Sequence, residues 1–101
     1  MALPGTARAA ASDMAGFDTD GIVTAVAAAA FFAQGFRFCI RYVSRVAQQD
    51  ANDLSAAEAL NVLNAGLALM PVQHVRRAGW VPNKALGASD GVHAAYHVMR
   101  L

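Results

Sequence analysis

The chain has 101 residues, 56% hydrophobic and 15% charged, with a formal net charge of +1, which fits one packed domain and excludes a disordered segment. Eight basic against seven acidic side chains, with no basic block, exclude the electrostatic footprint of a nucleic-acid binder or of a protein held by anionic membranes. A single cysteine, Cys39, excludes an internal disulfide framework and a cysteine-built zinc site, so apolar packing alone must supply stability.

Residues 1–13 are small and polar without period and read as a flexible tail ahead of a domain over 14–101. Arg8 is not followed by an apolar run of about 7 to 15 residues, so this segment is not a complete secretory signal. Met14 to Asp18 is a short apolar stretch ending at an acid and reads as a minimal strand. Thr24 caps an alanine-rich helix that ends at Gln34, with Gly35 in the left-handed position past its C-terminus. The uncharged stretch Gly21 to Phe36 is shorter than the roughly 20 residues that cross a bilayer, and reads as a buried helix.

Phe36 to Val43 is aromatic and β-branched, with Phe36, Phe38, Ile40 and Tyr42 on one face of a second strand. Ser55-Ala-Ala-Glu58 is a capping box opening a second helix, and Gly66 stops it. Leu67 to Val75 reads as a third strand, in which Pro71 marks a bulge or strand end because proline lacks a ladder donor. Ser89 or Asp90 caps a last helix from Val92 to Leu101. The two glycine stops lie about 30 residues apart, the length of one strand-helix-strand unit. The fold class is therefore α/β, three parallel βα units, either doubly wound or closed into a barrel.

In either architecture ligands bind at the carboxyl ends of the strands. Asp18 ends the first strand, Arg41 and Tyr42 the second, Gln73 and His74 the third, and the loop that follows carries Arg76, Arg77 and Trp80. Asp18 is the candidate catalytic acid; its structural alternatives are a helix cap or a partner for Arg41. Arg41 suits bidentate contact with a hydroxyl or, equally, a closing salt bridge. Tyr42 and Trp80 offer aromatic faces for stacking, with Tyr42 also readable as core packed against a helix. Gln73 and His74 complete the candidate binding set, and His74 is either a proton carrier or a hydrogen-bonded structural group. His93 and His97 share a helical face but lack the glutamate of a zinc-hydrolase helix, and Gly87 to Gly91 lacks the lysine of a phosphate loop, so no metal or cofactor is expected. Cys39 reads as a small buried hydrophobe.

Gly16-Phe-Asp-Thr19, Ile40-Arg-Tyr-Val-Ser44, Leu54-Ser-x-x-Glu58 and Asn64-Ala-Gly-Leu67 leading into Pro71-Val-Gln73 together resemble the glycoside-hydrolase-like domain of unknown function of exported bacterial proteins. The resemblance runs from about Gly16 to the end. It implies a (β/α)8-type barrel related in architecture to the barrel muramidases, of which this chain would be the first three βα units, and a site that acts on or binds cell-wall glycan. It also implies an exported or wall-associated protein. Such a barrel takes roughly 200 residues or more, and glycoside hydrolysis ordinarily uses two carboxyl groups. Only Asp18 lies at an expected strand end, so the chain alone should be inactive and should self-associate or pair with the remaining barrel units.

Overall fold

The computed structural model describes residues 13–101. The expected tail over 1–13 lies almost wholly outside the described residues. Six elements follow in alternation: β1 (Gly16–Asp18), α1 (Ala25–Ala33), β2 (Phe38–Val43), α2 (Ala56–Asn64), β3 (Ala68–Gln73) and α3 (Lys84–Val98). The strands form one parallel sheet in the order β1-β2-β3. The three βα units expected of the sequence are therefore present.

Local chemistry explains most boundaries. The Thr24 hydroxyl accepts from the Ala27 N–H at 3.1 Å, and Gly35 takes φ +102°, which only glycine adopts without strain, so α1 starts and stops where its caps dictate. Past that stop, Arg37 donates to the carbonyls of Phe32 and Phe36 at 3.0 and 2.8 Å, binding the negative end of α1. Ser55 accepts from the Glu58 N–H at 3.2 Å, one half of the capping box. The other half is not made, because the Glu58 carboxylate turns away toward the sheet.

Four expectations are corrected. Phe36 is not in β2: the turn after Gly35 delivers it to Phe17 and Phe31, ring centroids 5.8 and 5.5 Å apart, while Phe17 stacks on Phe31 at 3.9 Å. α1 is not buried all round: Ala28 is its buried contact, and Val26 is 82% exposed. The last helix starts at Lys84, not Val92, because Asn83 caps it by accepting from the Leu86 N–H at 2.8 Å. Gly87 and Gly91, which precede the expected helix start, lie inside it in open surroundings, where a weak helix former costs about 1 kcal/mol and does not end the helix. Pro71, read as a strand end or bulge, sits mid-strand in β3. Ala68 and His74 donate to the Arg37 and Val43 carbonyls of the β2 side at 2.9 and 3.0 Å, and alternation from either leaves the Pro71 nitrogen on the outer edge, where no bond is lost.

Side chains alternate across the sheet. Phe17, Cys39, Val43 and Leu69 join Val23, Ala28, Leu54, Ala59, Val62, Leu67 and Leu101 in two clusters between sheet and helices. Gly16, Asp18, Phe38, Ile40, Tyr42, Met70, Val72 and, beyond the strand end, His74 occupy the opposite face, where none of them is buried. The Phe38 ring lies over Gly16, within 2.2 Å of where a Cβ would stand, so any larger residue there must push that ring aside. Among the described residues no helix is long and apolar enough to cross a membrane.

Candidate functional site

The carboxyl ends of the strands are built on a buried ion pair. Arg41 is wholly buried, and its guanidinium donates to Glu58 Oε2 at 2.5 Å and Glu58 Oε1 at 3.0 Å. It also donates to the Thr19 carbonyl at 3.1 Å and the Asn52 carbonyl at 2.6 Å. Glu58 Oε2 accepts in addition from the Val23 N–H at 2.8 Å. One forked side chain thus joins the β1–α1 loop, the β2–α2 loop and α2, and its bonds to Glu58 raise its pKa above the ordinary guanidinium value. Every direction it points is taken by protein.

The face that carries Asp18 is different. Asp18 is exposed, and its carboxylate lies near enough to the Tyr42 hydroxyl to hold the phenol's pKa above its ordinary value. The Tyr42 ring stacks on His74, centroids 5.2 Å apart and planes 17° from parallel. His74 Nε2 lies 2.7 Å from Asp53 Oδ1, and Asp53 Oδ2 accepts from the Asp50 N–H at 2.9 Å. The Asp53 side chain is 2% exposed, against 39% for His74. Its loop is held to the strand end by the Leu54 N–H, which donates to the Tyr42 carbonyl at 2.8 Å while the Leu54 side chain enters the core.

Asp18, Tyr42 and His74 therefore come together from three successive strand ends. Arg41 and Gln73 do not join them. Both belong to the helix side by alternation, and Gln73 donates its amide to the Asp90 carbonyl of α3 at 2.8 Å. The reading of Tyr42 as helix-facing core is corrected: its strand presents the opposite face to the helices. Trp80 lies further along the loop, 44% exposed, with Arg76 above its ring at 5.9 Å and Arg76 in turn paired to Asp90 at 2.5 Å. Sequence reasoning missed two groups. Glu58 was legible only as a cap, and Asp53 carried no signal, since it lies in a loop ahead of the Ser55 cap and reaches the site only through the loop's return.

Among the described residues no three metal-ligating side chains converge. His97 is buried with its Nε2 2.7 Å from the Val46 carbonyl, a contact that ties α3 to the β2–α2 loop.

Comparison with protein families gives one match, the Rv2525c-like, glycoside hydrolase-like domain, over residues 29–101. The chain belongs to this family. The glycoside hydrolase-like domain as matched runs from within α1 through α3, and so takes in Tyr42, Asp53, Glu58, His74 and Trp80, whereas Asp18 on β1 precedes it. No curated protein and no solved structure matches the chain.

Proposed function

We propose that the carboxyl edge of this sheet is a glycan site directed at peptidoglycan, and that the three βα units are the first three of a (β/α)8 barrel whose interior face is the one bearing Asp18. The observation that carries this reading is the convergence of Asp18, Tyr42 and His74 on the face that none of the described helices covers, in a chain of the glycoside hydrolase-like family. In a barrel that face turns inward and its strand ends line the ligand site. Asp18 is the acid of the site. Tyr42, His74 and Trp80 supply rings and polar edges for a sugar, while Arg41 and Gln73 hold the layer behind them.

Hydrolysis would need a second carboxyl group free to act. Asp53 is buried and committed to His74 and the Asp50 N–H, so it is not that second group, and the reading for this chain is glycan binding. Sedimentation with insoluble purified peptidoglycan tests the reading. Asp18→Asn is expected to weaken retention about tenfold or more, the worth of a hydrogen bond to a charged group. Equal retention by wild type and variant removes Asp18 from the site, and release of reducing ends by the wild type overturns the binding-only reading.

The barrel reading has its own test. The open face exposes Met70 at 51% and leaves Phe38, Ile40 and Val72 only half covered beside it, a contiguous apolar surface of the kind that drives association. Light scattering across a dilution series is expected to show self-association. A monodisperse monomer that unfolds cooperatively overturns the barrel reading and favours a small doubly wound domain.

A further inference from the structure

His74 has a fixed polarity. Asp53 lies behind it with both carboxylate oxygens engaged, Oδ2 by the Asp50 N–H and Oδ1 by His74 Nε2. A carboxylate only accepts, so the imidazole proton sits on Nε2, and a neutral ring then carries its lone pair on Nδ1. No described residue hydrogen-bonds Nδ1, and the side chain is 39% exposed while Asp53 is sealed away from solvent. Rotation of the ring is opposed by its stacking on Tyr42.

We propose that Asp53 is a positioning residue that fixes His74 as a hydrogen-bond acceptor at Nδ1, so that the site offers two acceptors, His74 Nδ1 and the Asp18 carboxylate, to the hydroxyl groups of a neutral sugar ring. This rests on the glycan reading of the same site and adds its polarity. Two acceptors on one side of a site match a pair of hydroxyl donors, and they disfavour a phosphate or carboxylate, which would bring acceptors and negative charge to acceptors. The choice of tautomer is the deciding device: with its proton on Nδ1 the same ring would offer a donor there instead.

The test uses the whole chain, labelled with ¹⁵N, and long-range ¹H–¹⁵N correlation spectra of the histidine rings at alkaline pH, where imidazole is neutral. The expected result is a single His74 tautomer protonated on Nε2, a Nδ1 resonance that moves on titration with an N-acetylglucosamine oligosaccharide, and no response to the same concentration of inorganic phosphate. A proton on Nδ1 overturns the inference whatever the ligand does. Oligosaccharide binding that leaves Nδ1 unmoved overturns the inference and leaves the glycan reading standing. No binding at all overturns the glycan reading, and the acceptor role with it.

Variants separate positioning from scaffolding. Asp53→Ala is expected to mix the tautomers and weaken oligosaccharide binding about tenfold, as losses of outer hydrogen-bond partners do elsewhere. His74→Ala should cost as much, and the double variant no more than either single one, because Asp53 acts through His74. Additive losses in the double variant would assign Asp53 a scaffolding role only and overturn the proposal.

Discussion

Glu58→Ala is expected to destabilise the protein by about 3–5 kcal/mol, the cost of leaving a buried charge without its partner. Arg41 is fully buried and spends two of its donors on Glu58, and the Val23 N–H loses its acceptor in the same variant. Removing Glu58 strands a guanidinium that stays protonated through its own intrinsic basicity even without that partner. For a chain of this size the loss corresponds to a melting temperature lower by about 12 °C or more. Urea unfolding followed by circular dichroism measures it. Arg41→Met alone should cost a similar amount, whereas Arg41→Met with Glu58→Leu should recover most of the loss, because a packed apolar pair needs no desolvation of charge. A change below about 1 kcal/mol for Glu58→Ala would show that water reaches the pair.

The second large effect concerns Cys39. Burial among Val23, Ala28, Val62 and Leu67 pushes its thiol up from 9.0 to about 11, and the Glu58 and Asp18 carboxylates add to the shift while Arg41 opposes it. At pH 8 the folded protein should then hold about a hundredfold less thiolate than a free cysteine, with steric exclusion slowing reaction further. Alkylation by iodoacetamide, timed with and without urea, reads this directly. Native labelling within about fivefold of the unfolded rate would place the side chain in contact with solvent. The sign for stability follows: the buried neutral thiol contributes in full below the unfolded value, and that contribution is lost as the pH rises from about 9 to about 11.

Much of the fold is legible in the sequence because single residues mark the boundaries. Thr24, Gly35, Ser55 and Gly66 act within their own turns, and local geometry is all they need. Ser89 and Asp90 read as caps from the sequence because they precede the periodic run from Val92, whereas the helix forms from the Asn83 cap and carries Gly87 and Gly91 within it. The faces of β2 were harder. Its alternation separates Tyr42 from Arg41, yet both faces of a parallel strand are apolar, and nothing in one strand says which side the helices take. That choice put Arg41 behind the sheet and Tyr42 beside Asp18. Asp18, Tyr42 and His74 were legible as strand ends, whereas Asp53 depends on how a loop folds back, which no spacing encodes.

Pro71 bears on how the sheet meets a neighbour. Its nitrogen faces outward from β3, so the outer row of donors has a gap at mid-strand, while the other edge strand among the described residues, β1, is only three residues long. Any strand laid beside β3, from the same chain or from another molecule, must bulge opposite Pro71 or leave one carbonyl to water. Cross-β growth needs an unbroken ladder that each added copy can repeat. Association of this chain should therefore proceed through the apolar face and stop at small closed assemblies, and fibrils that bind thioflavin should not seed from either edge.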